Sequence, residues 1–576
     1  MALRPIQLDP PTPEPEESDA TMRRLYAIAR VLIIYGLLIG GAAVFSIPFI
    51  WMIGTSLKVD REMFGETITL LPKTPVPALQ SPFLDGAYFV PPKSETAKRI
   101  KPWVLEHLQQ AALPPEHELL KNQTVAEALF PGIYRKLNDI LPAEGWKRSN
   151  EELKADVLAR IDDTMVTETF RSVYRALTFS SIRVRSFDLQ EKEMTTGTLL
   201  SGLWDVTSEA PVKLHDTIEP TGPGGVLAYD FTGRRNSTVN MSTTLELPFK
   251  SDRLFRTQIS ILPDDSWHRI DFQYEINGIL YEALRPAFLG DNQAMVVTLQ
   301  QYGPEDESDS GKIRLWYACR EIDRGPNYES RPNHMRLHMT LSQAHQVDAW
   351  WAKAYRNYRG ALNYIPFGRY VMTSAFLVIL NIIGTVISCS LVAFAFARLQ
   401  WPGRQFSFAL MMATMMIPAQ VTMIPYFLII KHLGWYNTLN PLWVISFFGN
   451  AFNIFLLRQF MKGIPRDLED AARIDGCNFL QVYWHVIMPL IKPTLACIAI
   501  FTFMGVWNDF MGPLIYLSDQ TLYPLSLGLY ALNVQEGGNY GMMMAGSFLM
   551  TLPVVVIFFF AQKYFIQGVT LTGMKG

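Results

Sequence analysis

The chain has 576 residues, with 51 Lys+Arg against 53 Asp+Glu and a formal net charge of −2, so no basic excess points to nucleic acid as a partner. Residues 371–576 hold only 17 charged side chains against 87 in the first 370, too few for a water-soluble domain of that size. Cys319, Cys389, Cys477 and Cys497 are widely separated, which argues against a disulfide framework or a CxxC zinc site. Neither a GxxxxGK[ST] loop nor a GxSxG elbow occurs, so nucleotide energy is expected from another chain.

Residues 1–26 are rich in proline and acid and are expected to form a disordered tail. After Arg23-Arg24 an apolar run extends from Ala27 to Ile53. It imitates a signal peptide, but at ~1.5 Å per residue it exceeds the ~30 Å apolar slab, so the segment 27–59 is expected to be the first membrane span. Five further runs, at 370–397, 405–430, 440–461, 487–512 and 543–566, bring the expected spans to six within a membrane core 370–576. Arg398 and Arg404 lie between the second and third. Arg458, Lys462, Arg466, Arg473 and Lys492 lie between the fourth and fifth, whereas the alternate joints have Lys431 alone or no basic residue. Short cytoplasmic loops accumulate Lys and Arg, which places both termini in the cytoplasm and residues 60–360 outside it.

That outward insertion is long enough to be a domain. Over 60–177 it is expected to be helical: Ser149-Asn150-Glu151-Glu152 has a capping-box pattern, and Leu153, Val157, Ile161 and Met165 recur every four residues. Over 178–322 the period becomes two, as in Ile182/Val184, Val239/Met241/Leu245/Leu247, Phe255/Thr257/Ile259/Ile261 and Ile270/Phe272/Tyr274. Asn277-Gly278 suits a tight hairpin, and the expected form is an antiparallel β-sandwich of roughly eight strands. The return linker 323–369 contains an amphipathic stretch whose Trp350, Trp351, Tyr355 and Tyr358 suit the headgroup layer. Trp204, Trp267 and Trp316 are expected in the sandwich core rather than on a sugar-stacking surface. Asp264-Asp265 and Glu305/Glu307/Asp309 are expected in solvated loops.

The segment 464–489 is the most informative. Pro465 suits a helix start and Gly476 its end, with about three turns between them. Ala471 and Ala472 leave a flat patch among charges that a partner cleft can read. Asp470-Ala471-Ala472, Gly476 and Val486-Ile487-Met488-Pro489 resemble the EAA loop of importer-type ABC permeases, with Asp470 in place of the glutamate and Glu469 adjacent but about 100° away on the helix. Pro48 through Lys58, Ala393 through Leu399, Trp507-Asn508-Asp509-Phe510 and Gln567 through Gly576 are similar to the carbohydrate branch, in particular the second membrane subunit of maltose-type importers.

The resemblance covers about residues 28–64 and 361–576 and implies an all-α polytopic membrane protein of the type I importer kind; the inserted extracytoplasmic domain lies outside it, and its α+β form is expected from the residue periods alone. The resemblance implies a bacterial inner-membrane permease subunit that moves a carbohydrate-like solute by alternating access and is not an enzyme. It also implies a second permease, two ATP-binding cassette subunits that hold ATP and Mg, and an extracytoplasmic solute-binding protein. Glu469, Asp470, Ala471, Ala472, Gly476 and Pro489 would couple to the ATPases, and the tail Thr570–Gly576 would touch them too. Trp507, Asn508 and Asp509 are candidates for the pathway, although Asp509 near the outer interface equally suits helix capping. The alternative is a membrane-anchored glycan-binding or sensing protein on a permease-like scaffold.

Overall fold

The computed structural model describes residues 17–63, 69–86, 88–89, 94–120, 124–194, 202–219, 222–291, 293–301, 317–324, 331–535 and 539–569. Trp316, Glu305, Glu307, Asp309 and Thr570–Gly576 lie outside them.

Helix α1 (Glu17–Ser56) contains the first apolar run. The part long and apolar enough to cross a bilayer, Tyr26–Ser56, buries almost nothing against the rest of the chain. Its surroundings must therefore be apolar, because a helix hydrophobic on all sides is stable in water only when covered.

The insertion begins with a helical unit. Helices α2 (Glu95–Gln110), α3 (Val125–Ile140), α4 (Asn150–Arg160) and α5 (Asp163–Val173) share one apolar cluster. The four-residue spacing spans two of these helices. The backbone turns at Ile161-Asp162, where the Asp162 side chain accepts the Met165 N–H and starts α5, yet Leu153, Val157, Ile161 and Met165 are all buried together.

The β part is larger than expected. Among the described residues, fourteen strands form one hydrogen-bonded sheet: β1 (Gln80–Ser81), β2 (Leu177–Ser186), β3 (Glu191–Glu193), β4 (Asp205–Ser208), β5 (Val212–Glu219), β6 (Gly222–Asp230), β7 (Thr238–Glu246), β8 (Leu254–Leu262), β9 (Arg269–Ile276), β10 (Ile279–Ala283), β11 (Ala287–Phe288), β12 (Met295–Gln301), β13 (Tyr317–Arg324) and β14 (His334–Ser342). The path runs β1-β6-β2-β8-β12-β13-β10-β9-β14-β7-β4. The pairing of β12 with β13 is parallel, against the all-antiparallel expectation. Directly after β4 the chain enters β5, which pairs with β6 near the other end of the path, so the sheet curls around a single apolar cluster. Asn277 and Gly278 adopt φ +52° and +76° between β9 and β10, as their hairpin role requires. A bulge between Leu254 and Arg256 turns Leu254 inward and leaves Phe255 half-buried, which breaks the expected alternation at that point.

Helix α6 (Gln346–Tyr364) returns the chain to the membrane core and runs almost directly into α7 (Phe367–Arg398). The expected span 405–430 is divided into α8 (Arg404–Thr414) and α9 (Ala419–His432), with Pro418 at the break. Proline removes a backbone donor and disfavours helix at the preceding residue, which accounts for the interruption. A 3-10 turn at Val444–Phe448 precedes α10 (Ala451–Lys462), and the short helix α11 (Asp467–Ile474) follows. A π-helical stretch at Val482–Ile487 leads through Pro489 into a 78° bend before α12 (Lys492–Trp507). Helices α13 (Leu525–Gln535) and α14 (Tyr540–Val569) complete the core. Among the described residues four helices are long and apolar enough to cross a bilayer, or five if the bent pair counts as one crossing.

Candidate functional site

At one end of the membrane core, α11 forms a small wedge. Its end is a Schellman cap: the Cys477 N–H bonds to the Ala472 carbonyl at 2.9 Å and the Gly476 N–H to the Arg473 carbonyl at 3.0 Å, with Gly476 at φ +88°. The helix is two residues shorter at each end than the expected 465–476, and Pro465 lies before it rather than in its first turn.

The two neighbouring carboxylates occupy opposite environments. Glu469 is buried and forms an ion pair with Arg398 at 2.7 Å, and both side chains are no more than 5% exposed. The Arg398 guanidinium also donates to the carbonyls of Met461 and Ile464, so one cation joins the end of α7, the end of α10 and the wedge. Asp470 is exposed and only loosely paired with Arg473, at 3.8 Å. The alanines divide in the same way. Ala472 packs into the cluster of Phe394, Leu457, Tyr483 and Ile487, while Ala471 faces out, so the expected flat alanine pair is a single exposed alanine. Ile474, beside it, is 87% exposed. Pro489 is exposed on the far side of the π-helical stretch.

Trp507, Asn508 and Asp509 do not form one cluster. The Trp507 ring is buried against Phe503, and its indole N–H donates to the Met550 carbonyl at 3.0 Å, which ties α12 to α14. Asn508 is exposed and donates to the carbonyl of Met504. Asp509 accepts the Gly512 N–H at 3.1 Å and starts the short helix Met511–Tyr516, which is the capping arrangement.

At the other end, the insertion is joined to the core by buried polar contacts that span distant parts of the sequence. The Asn357 side chain donates to the carbonyls of Ser56 and Lys58 at 3.0 and 2.7 Å, satisfying acceptors that the end of α1 leaves open. The Ser56 and Tyr358 hydroxyls are 2.8 Å apart. Arg61 bridges Asp85 and Asp265, Lys353 pairs with Glu62, and Arg356 pairs with Asp291 at 3.0 Å. Burial lowers the Lys353 pKa against the pull of Glu62, and burial raises that of Asp265 against the pull of Arg61. Trp267 packs with Val59 and Ala349, the residues that follow α1 and open α6.

These contacts correct the solvated-loop expectation for Asp264 and Asp265. Asp264 is fully buried and accepts the Tyr229 hydroxyl at 2.6 Å, and Asp265 accepts the Asp291 N–H. Trp204 and Trp267 are buried, as expected of core aromatics. Sequence reasoning missed Arg398 and Arg61 as organising residues; the signal at Arg398 was a lone cation closing an apolar run.

Residues 386–570 match the family described as "Binding-protein-dependent transport system inner membrane component". The chain is 35% identical to "Arabinooligosaccharides transport system permease protein AraQ" of Halalkalibacterium halodurans, over 36% of this chain and 74% of that protein. It is 33% identical to "Galactooligosaccharides transport system permease protein GanQ" of Bacillus subtilis, over 34% of this chain and 69% of that protein. A crystal structure of "a bacterial ABC transporter involved in the import of the acidic polysaccharide alginate" aligns with 36% of this chain and 79% of its own at 28% identity, with a TM-score of 0.34, too low to define a shared fold over the chain. The chain belongs to the inner-membrane components of binding-protein-dependent transport systems: it is a multi-pass permease subunit of an ABC transporter, with the ATPase carried by separate subunits.

Proposed function

We propose that this permease imports a carbohydrate by alternating access and that α11 is its contact with the ATPase subunits. The observation that carries this reading is the two-sided wedge. Its inner side is fixed by Glu469–Arg398 and Ala472, and its outer side presents Asp470, Ala471 and Ile474. An isoleucine left open beside an alanine at a helix tip suits a partner surface, because burial there stabilises at roughly 25 cal/mol per Å².

In the proposed cycle, ATP-driven closure of two cytoplasmic ATPase subunits displaces the wedge. Arg398 passes that displacement to α7, a rod of 32 residues or ~48 Å at 1.5 Å per residue. Helix α7 then acts on α6 and the joint beneath the insertion, so nucleotide and solute bind the two states with different affinities. Six crossings, two of them broken at Pro418 and at the 78° bend, a second permease and both termini inside complete the arrangement. The insertion faces outward, where a solute-binding protein docks. The proposed cargo class follows from the oligosaccharide permeases named among the relatives.

Co-purification together with uptake tests this reading. A second permease and ATPases recovered in stoichiometric amounts, with sugar-stimulated ATP hydrolysis, are expected. Recovery of this chain alone, binding glycan without ATPase partners, would favour a sensor instead.

A further inference from the structure

Between the sheet and α6 lies a cleft of about 530 Å³. Asn236 and Gln343 line the sheet side, and Asp348, Trp351, Tyr355 and Arg359 line the helix side. Trp351 and Tyr355, one turn apart, stack with ring centroids 5.2 Å apart and planes 18° apart, and each is about half exposed, at 49% and 53%. The Gln343 amide oxygen is buried without a hydrogen-bond partner. Asn236 is held at φ +57° with its amide oxygen 3.2 Å from His345 Nε2. Asp348 and Arg359 are exposed in the lining, and Asp348 lies in the field of Arg269, which also lines the cleft and is bonded to Asp271.

This combination is selective. A sugar ring has an apolar C–H face and a rim of hydroxyls that both donate and accept. An aromatic ledge covers the face, and planar amide, carboxylate and guanidinium groups satisfy the rim. The cleft volume fits a few sugar units. A bilayer is the competing occupant, because tryptophan and tyrosine also favour the headgroup layer. Two observations argue against it. The ledge borders a concave space with the mostly polar ends of β7, β9 and β14 opposite, rather than a convex surface. In addition, Trp351 precedes Asn357, which touches the end of α1, by six residues, and so stands about 9 Å along α6 from that contact, toward the insertion.

We propose that this cleft is a binding subsite for a neutral oligosaccharide, outside the translocation path, that holds a sugar ring on the Trp351–Tyr355 ledge while Asp348, Arg359, Asn236 and Gln343 engage its hydroxyls. It rests on the carbohydrate reading of the cargo and adds a place on the permease itself where sugar is held close to the membrane.

The test uses the full chain with its partner subunits in nanodiscs, without solute-binding protein. It is titrated calorimetrically with α-1,5-arabinotetraose and with β-1,4-galactotetraose. Saturable binding of at least one is expected, weakened about tenfold or more by Trp351→Ala and by Asp348→Asn, both surface positions whose thermal melts should match the parent. Binding of neither sugar, or equal binding by parent and variants, overturns the subsite. So does quenching by bromine-labelled lipid of a fluorescence component that Trp351→Ala removes, since the ledge would then face the bilayer. Uptake into proteoliposomes containing the solute-binding protein separates the two readings: sugar uptake without cleft binding removes only the subsite, and cleft binding without uptake removes only the cargo assignment.

Discussion

The insertion and the membrane core use the same apolar residue types in opposite ways. In the insertion Ile100, Leu177 and Phe272 are almost completely buried, whereas in the core Ile33, Phe45 and Phe560 are 63%, 80% and 79% exposed. A protein adjusts its apolar surface to its solvent, so the first set describes a fold closed against water and the second a fold open to lipid. Polar groups invert the comparison. The core buries charge in the Arg398–Glu469 pair, and the insertion meets the core through the buried Lys353–Glu62 pair and the part-buried Arg61–Asp265 pair. One such joint lies at the end of α7, through Arg398, and the other on α6, through Lys353, Arg356 and Asn357.

The comparison breaks most sharply if the two joints prove unequal. Trp267→Ala is expected to cost about 3–5 kcal/mol, the usual penalty for deleting a buried indole, and to loosen the insertion from the core. Limited proteolysis checks it: cleavage beside residues 59–63 and 343–349 should appear while the sheet remains resistant. Glu469→Ala is expected to cost about 3–5 kcal/mol by leaving Arg398 buried without its counter-charge, and to abolish uptake. The double variant Arg398→Met/Glu469→Leu should restore thermal stability but not coupling, so recovery of both would show the pair to be structural only.

A smaller, pH-dependent effect belongs to Asp265. Burial raises its pKa above that of an ordinary aspartate, against the pull of Arg61. Between that value and the raised one the folded chain holds more protons than the unfolded chain, so stability should fall as pH rises through this window. Melting curves across the carboxylate range should show this slope and Asp265→Asn should flatten it; an unchanged slope in the variant would assign it elsewhere. The smallest effect is expected from Gly476→Ala, which places a Cβ at φ +88° at a cost of about 1–2 kcal/mol, read as a modest drop in coupled ATP hydrolysis with the spans intact.

Much of the core was legible because hydropathy and the helix-ending signal at Gly476 are local. The first span, α7 and α14 follow the apolar runs closely. The breaks in α8–α9 and before α12 were not expected, although Pro418, Pro489 and Pro493 mark them, because hydropathy is blind to the loss of a backbone donor. In the insertion, period-two strands and the Asn277-Gly278 turn were visible, but the curl of fourteen strands and the parallel β12–β13 pair depend on contacts far apart in sequence. The same distance hid the pairing of Asp265 with Arg61 and of Glu469 with Arg398; neither partner could be read from its neighbours.

The most direct test is uptake and ATP hydrolysis by the assembled complex in proteoliposomes carrying Ala471→Asp, which changes only the exposed side of the wedge. Loss of uptake, with ATPase no longer stimulated by solute and the melting temperature unchanged, is the expected result. Full uptake with this variant, or a complex in which no ATPase subunit touches residues 467–476, would contradict the role assigned to α11.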